Sequence, residues 1–488
     1  MTIKYLLVGF DGLRPDMITP DLMPRLHQHG MEGVVFENHR STFPTETYVN
    51  LPSLVTGATP SRHGMIANQY LDLHVDSREP FRGYSVAKIE KAQRAYKGHL
   101  YGTLSLGEIL HKAQRRMAVI STNSAGSTRL KHHQICDSEH LSMACHSSTT
   151  SWPPQEVASI LEKLGSPAPI TIPDLEGTSY ATDVFLEHVA QGEFPDLTIL
   201  WYGEPDESYH TYGIGSPQNQ LSLRHVDTQF GRVLDWWENS DMRERLQIVV
   251  TSDHGHITQR HKVNIGAQLK QSGFKVARHL EDGADLALLS AYAGGIWVRN
   301  KNPEIIIAIG EALMSSDECG MIFSAPRNEV EGVIPGSFSR QMVMADHPRS
   351  PDIYYILNTN NEPNEYGYTG TCSFENELSV GAGIHGGLHP KELQSVFIAT
   401  GTQFGNGQRF SCHSGILDIA PTILHGLDII APQRMEGQVL SSAFIKHPPT
   451  DVHPIPETFE TGFGPYRQIL HRTRQGEACY LDSGARIS

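Results

Sequence analysis

The chain has 488 residues, 39% of them hydrophobic and 19% charged, which suits one large α/β domain with insertions or two to three smaller domains. With 39 Lys+Arg against 54 Asp+Glu the formal net charge is −15, which disfavours broad attraction to nucleic-acid polymers or anionic membranes, so an anionic substrate would need a metal or a few placed cations. No run of about 18 apolar residues occurs, the start "MTIKYLLVGFDG" lacks a secretory pattern, and the six cysteines form no CxxC pair. The expectation is therefore a cytoplasmic protein with reduced thiols and no membrane span, a Cys136–Cys145 bridge being left open.

Five short apolar runs read as buried strands: "YLLVGF" (5–10), "MAVIST" (117–122), "LTILWYG" (197–203), "LQIVVTS" (246–252) and "SVFIATG" (395–401). Helical patterns lie between them at 103–115, 155–164, 178–191 and 220–238. This alternation predicts an α/β fold, a mostly parallel central sheet with helices on both faces. The regularity fades after Lys262 and returns near 380. The domain reading is a catalytic core over 1–270 and 379–445, an inserted cap over 271–378, and a Pro-rich tail over 446–488 packed on the core.

Four segments then send similar chemistry to one place. "YLLVGF" ends in Asp11; "LTILWYG" is followed by "EPDESYH", with Asp206 and His210 four apart; "IVVTS" ends in Asp253-His254; and "GAGIHGGLHP" sets His385 between glycines just before a strand. In an open parallel sheet the carboxyl edge is where ligands bind, and carboxylate with imidazole suits divalent cations. Singly, each has an ordinary reading as a helix cap, a turn residue or a local pair. Together they point to a dinuclear metal site.

A nucleophile is suggested by "FPTETYVNLPSLVTG" (43–57). Leu51, Leu54 and Val55 have helical spacing and Gly57 is a plausible stop, so the helix starts near Thr47. A hydroxyl there faces free backbone N–H groups and the positive end of the helix dipole, which suits a phosphoryl group. Thr45 and Thr42 are rival hydroxyls.

The set "FDGLRPD", "FPTETYVN", "TGATPSRHGMIAN", "EPDESYHTYG", "TSDHGH" and "GIHGGLHP" resembles the nucleotide pyrophosphatase/phosphodiesterase family of the alkaline phosphatase superfamily. The resemblance runs from residue 5 to about 440, with the 270–378 stretch and the tail poorly matched. It implies an alkaline phosphatase-like core and two divalent metal ions, Zn²⁺ foremost, although Mn²⁺ or Fe also fits these ligand types. One ion would be held by Asp206, His210 and His385, the other by Asp11, Asp253 and His254. Thr47 would be the nucleophile bridging them, and Asn68 would hydrogen-bond a phosphoryl oxygen. His63 matches a structural position; His256, His261 and His389 carry no role over. One departure stands out. The family often reads Thr-Phe-Pro-Asn-His where this chain has Thr47-Tyr48-Val49-Asn50-Leu51, which bears on the leaving-group pocket more than on the chemistry.

The implied reaction is hydrolysis of a phosphodiester or pyrophosphate bond in a small anionic substrate, in two steps through a phosphoryl-threonine. Competing readings share the metals. A phosphomonoesterase, or a carbon–phosphorus hydrolase similar to phosphonoacetate hydrolase, would need an added cation. The segment "STRLKHH" (127–133) offers Arg129 and Lys131 for substrate binding, against the ordinary reading of a solvated basic loop. A non-catalytic binding protein on a decayed hydrolase fold is the reading from a different class. Decay normally removes ligands or nucleophile first, and here all are present.

Overall fold

A computed structural model describes residues 2–280, 283–446 and 453–487. Its centre is an eight-stranded sheet whose strands are, in chain order, β1 (Lys4–Phe10), β2 (Val34–Arg40), β3 (Met117–Ser121), β4 (Leu141–Ala144), β5 (Leu197–Tyr202), β6 (Leu246–Thr251), β7 (Phe397–Thr400) and β8 (Gln408–Gly415). The spatial order is β8-β2-β7-β6-β1-β5-β3-β4. β7 runs antiparallel to both neighbours and every other pair is parallel. All five apolar runs read from the sequence lie in this sheet. They carry no alternation because both faces are covered: Tyr5 and Leu7 of β1 join one apolar cluster, Leu6, Val8 and Phe10 the other.

The helices that matter for the site are α1 (Thr47–Thr56), α2 (Ala125–Lys131), α3 (Leu175–Glu187), α4 (Asp206–Tyr212) and α5 (Pro217–Asn239). α1 starts at Thr47 and ends on Gly57, whose φ of 61° takes the left-handed conformation that stops a helix. Ser216, with its hydroxyl on the Asn219 N–H, and a proline at the first turn start α5.

The stretch expected as one insertion, 271–378, divides into two. Strands between Val276 and Leu357 build a separate six-stranded sheet, Phe338–Ser339 among them. Strands Thr359–Pro363 and Thr369–Phe374 instead join Ile257–Lys262 and Gly383–Ile384 in a four-stranded sheet. Its ladder sets Ile384 opposite Ile257, which delivers His385 beside His256. The tail is an antiparallel three-stranded meander over Ile455–Arg486 and not a proline-rich wrap; its proline-rich beginning, 447–452, falls outside the described residues. Its partners lie on both units: Gln468 bonds the N–H and the carbonyl of Ile322, while Asp482 meets His413 of β8 at 2.8 Å. Leu470 and Leu481 belong to the apolar cluster of the six-stranded sheet. All six cysteines are free, and no described helix is long and apolar enough to cross a membrane.

One close approach ties the sheet to the chemistry. Gly9 faces Trp201 across β1 and β5, and a Cβ on Gly9 would lie 2.0 Å from the indole ring. Trp201 is fully buried and its Nε1–H reaches Asp11 Oδ2 at 3.2 Å. Gly9→Ala is expected to destabilise the protein by about 1–3 kcal/mol through overpacking; a urea-denaturation midpoint identical to the wild type would contradict this.

Candidate metal centre

Asp11 follows β1, Asp206 opens α4 after β5, and Asp253-His254 follows β6. These three strands are adjacent in the order β6-β1-β5, so their carboxyl ends place the three carboxylates side by side. Asp11, Asp253, His254 and His256 are fully buried. Two sets of donor atoms lie within 4.8 Å of one another among the described residues: Asp11, Asp253 and His254, and Asp206, His254, His256 and His385.

The first set coincides with one ligand group expected from the sequence. His254 Nε2 lies 3.7 Å from Asp11 Oδ1 and 3.4 Å from Asp253 Oδ2. Those same two carboxylate oxygens are buried without a hydrogen-bond partner. The opposite oxygens are satisfied: Asp11 Oδ2 by the Asn123 amide at 2.7 Å and by Trp201, Asp253 Oδ1 by the N–H of Gly12 at 3.1 Å. Burial, and then the charges of Asp253 and Asp206, push the Asp11 carboxyl well above its usual range. Burial likewise raises Asp253. Orphaned, desolvated carboxylate oxygens aimed at one point fit a divalent cation.

The second set differs from expectation. Asp206 Oδ1 lies 3.5 Å from His210 Nε2 and 3.7 Å from His385 Nε2, the predicted partners. It also takes a 2.6 Å hydrogen bond from His256 Nε2, a residue to which the sequence assigned no role. His210 is the least buried member and stands outside the 4.8 Å group. Burial alone would raise Asp206, but the imidazoles of His210, His256 and His385 hold it well below the usual range. His256 packs under Gly12, whose φ of 70° and lack of a Cβ leave room for the ring: a Cβ there would lie 2.7 Å from His256 Nε2. The signal that would have found His256 is in "SDHGH" itself, since two histidines two apart after a strand point the same way in extended chain.

The imidazoles are set for metal by the backbone. His210 Nδ1 lies 2.8 Å from the Gly383 carbonyl, His385 Nδ1 2.7 Å from that of Thr45, and His254 Nδ1 3.2 Å from that of Gly255. A carbonyl oxygen accepts only from N–H, so each ring presents the Nε2 lone pair to the centre.

Thr47 Oγ1 lies 3.1 Å from His254 Nε2 at the first residue of α1. The rival hydroxyls are engaged elsewhere: Thr45 between the Gly386 N–H and the Gly387 carbonyl, Thr42 on Asn50 Oδ1. Asn50, retained from the family pattern, pins the turn before Thr47. Its amide reaches the carbonyls of Thr42, Pro44 and Glu46, and its oxygen accepts the Thr42 N–H at 2.7 Å. Asn68 Oδ1 accepts the Tyr48 N–H at 3.0 Å, and Asn68 lines the cavity in front of Thr47. His63 is buried between Ser53 and the Met65 N–H, a structural position.

Arg129 and Lys131 do not line that cavity. The segment is no solvated loop either: both lie on α2 and both are buried. Arg129 bonds Glu90 and the Thr150 carbonyl. Lys131 sits under the sheet between Ser121 and Ser127, 4.9 Å from the centroid of the Trp201 ring, where burial lowers it to about 7 against the pull of Asp11 and Asp253. It faces Asp11 and Asp253 electrostatically and is not on the wall of that cavity.

The fold is α/β with a mostly parallel sheet whose edge carries Asp/His clusters able to hold metal, and the comparisons say which family has it. The model of the type I phosphodiesterase/nucleotide pyrophosphatase family matches residues 5–386. The chain belongs to that family. It is 23% identical over 261 residues to a bis(5'-adenosyl)-triphosphatase of Xenopus laevis, covering 52% of this chain and 47% of the relative. It is 24% identical over 255 residues to human ectonucleotide pyrophosphatase/phosphodiesterase family member 5, covering 52% and 44%. The chain thus spans about half the length of the curated relatives it matches. The fold is shared with the solved human family member 5, at a TM-score of 0.60 and 18% identity, over 89% of this chain and 97% of that one. A murine form of that protein, described as inactive, was solved in complex with AMP, with a TM-score of 0.59 and 16% identity over the same shares.

With Asp11 ionised, like charges crowd the metal-free centre. Between the ordinary carboxyl pKa and the raised folded value, the folded state holds a proton the unfolded chain has lost, so metal-free stability falls as pH rises through that window. Asp11→Asn is expected to raise the metal-free melting temperature at neutral pH by about 2–4 °C while abolishing metal uptake at its set. A variant that melts lower than wild type without metal, or that binds metal as before, would contradict this.

Proposed function

We propose that this protein hydrolyses phosphodiester or pyrophosphate bonds through a phosphoryl-threonine on Thr47. The observation that carries the reading is the Thr47 hydroxyl at a helix N-terminus, 3.1 Å from His254, a residue common to both donor sets, beside the partnerless oxygens Asp11 Oδ1 and Asp253 Oδ2.

Asp11, Asp253 and His254 would hold one cation, and Asp206, His210 and His385 the other, with His256 orienting Asp206 through its hydrogen bond. Zn²⁺ suits this nitrogen and carboxylate set best. Bound there, two cations supply a lowered hydroxyl pKa and charge neutralisation at both the attacking and the leaving oxygen. The chain's own groups do the positioning. Asn50 fixes the turn that presents Thr47, α1 directs its N-terminal N–H groups and dipole at phosphoryl oxygens, and the Asn68 amide faces an equatorial oxygen. Thr47 Oγ forms the new bond to phosphorus as the ester or anhydride oxygen leaves with its electron pair; water then cleaves the phosphoryl-threonine and regenerates the hydroxyl.

A diester is favoured over a dianionic monoester or phosphonoacetate by the cavity in front of Thr47, of about 320 Å³, which no arginine or lysine lines. That the relatives named above include a bis(5'-adenosyl)-triphosphatase and a protein crystallised with AMP supports small phosphorus-containing substrates.

Thr47→Ala is expected to keep metal content and fold while lowering kcat on an aryl phosphodiester by at least about 10³-fold. Zinc-loaded wild type should show kcat/KM for the diester orders of magnitude above that for the matching monoester. A variant with near wild-type rate would sink the threonine assignment, and a monoester preference would sink the diesterase one.

A further inference from the structure

The cavity in front of Thr47 presents a carboxyl group that the hydrolysis of an anion does not explain. Glu46, the residue immediately before the nucleophile, lines it and is only 8% exposed. One carboxylate oxygen accepts the Asn68 backbone N–H. The other, Oε1, has no hydrogen-bond partner among the described residues and lies 3.4 Å from where a Cβ on Gly386 would stand. Gly386, with a φ of 127°, leaves that space open. Among the described residues no lysine or arginine pairs with Glu46, and none lines the cavity. A carboxyl oxygen that opens on the cavity without donor or counter-charge is out of place in a protein built for anionic substrates.

The walls around it are aromatic: Tyr48, Tyr84, Trp297 and Tyr354. Tyr354 and Glu46 are near enough to interact electrostatically, and the Tyr354 hydroxyl is already spent on the Ile66 carbonyl at 3.0 Å, so it gives Glu46 no proton. Tyr48 is likewise bonded, at 3.1 Å, to Ser124. Ring faces and an open carboxylate oxygen together make a receptor for a cation carrying N–H donors: the faces attract the charge and the oxygen takes the hydrogen bond. A second phosphate or a carboxylate in the same place would meet Glu46 at close range.

We propose that Glu46 is a specificity residue that binds a primary ammonium group on the substituent of the phosphodiester that enters this cavity. The substrate class is an aminoalkyl phosphodiester, zwitterionic overall, whose phosphoryl group lies on Thr47 and whose short arm ends at Glu46 Oε1. This rests on the diesterase reading.

Glu46→Gln keeps an acceptor for the Asn68 N–H and the side-chain shape while removing the charge. Zinc-loaded wild type and Glu46→Gln are compared on the p-nitrophenyl phosphodiesters of 2-aminoethanol, propanol and 2-(trimethylammonio)ethanol. The wild-type ratio of kcat/KM for the aminoethyl over the propyl ester should be about tenfold or more and should fall toward one in Glu46→Gln. An equal ratio in both proteins overturns the proposal, as does a trimethylammonio ester that matches the aminoethyl ester, since it donates no hydrogen bond. Titration calorimetry of 2-aminoethyl phosphate into Thr47→Ala and Thr47→Ala/Glu46→Gln reads the same contact without turnover. A weakening of about tenfold supports the assignment and equal affinities refute it. Failure to hydrolyse any of the three diesters would instead count against the diesterase reading, and the calorimetry would still decide the role of Glu46.

Discussion

Three carboxylates buried side by side, with a lysine beneath them, are the constraint on which the rest of this molecule depends. Asp11, Asp206 and Asp253 are brought together because β6, β1 and β5 are neighbours and parallel, each delivering its next residues to the same edge. Such crowding is unfavourable in a folded protein unless positive charge compensates it. Part of the compensation is built in: Lys131 near Asp11 and Asp253, and the hydrogen bond that His256 gives Asp206. The remainder falls to whatever fills the space between Asp11 Oδ1 and Asp253 Oδ2, the two oxygens left without partners.

The same edge is kept rigid by backbone. Carbonyls of Gly383, Thr45 and Gly255 hold three imidazole rings by Nδ1, and the ladder between Gly383–Ile384 and Ile257–Lys262 fixes where His385 stands relative to His256. Thr45 links two parts of the site at once, through its carbonyl on His385 and its hydroxyl on the Gly386 N–H. The turn before Thr47 and the last histidine loop are therefore one unit. Asn50 locks that unit to α1, so that the position of Thr47 follows from the fold and not from a free rotamer alone.

The central sheet was legible because its strands are buried on both faces and spell continuous apolar runs. The convergence of Asp11, Asp206 and Asp253 was legible because each comes shortly after such a run, and the start of α1 followed from the spacing of Leu51, Leu54 and Val55. What failed depends on partners distant in sequence. Lys131 reads as part of a basic loop because nothing local shows the carboxylates that bury it. The strand Ala293–Val298 does not read as an apolar run because Gly294 and Gly295 interrupt it, their small size making way for Tyr355 and Trp297. The tail meander was hidden by the prolines before it, although Tyr466, Gln468 and Leu470 alternate inward as a strand on another sheet should. His256 was passed over because its hydrogen bond goes to Asp206, a partner distant in sequence, although its spacing of two from His254 put it on the same side of the chain.

The central claim is that this edge holds two cations. Metal content per chain, measured by elemental analysis after zinc saturation and removal of free metal by gel filtration, tests it most directly. The account predicts two zinc ions per chain in the wild type and one in Asp206→Ala. A wild type that retains one or none, or an Asp206→Ala protein that still retains two, would contradict it.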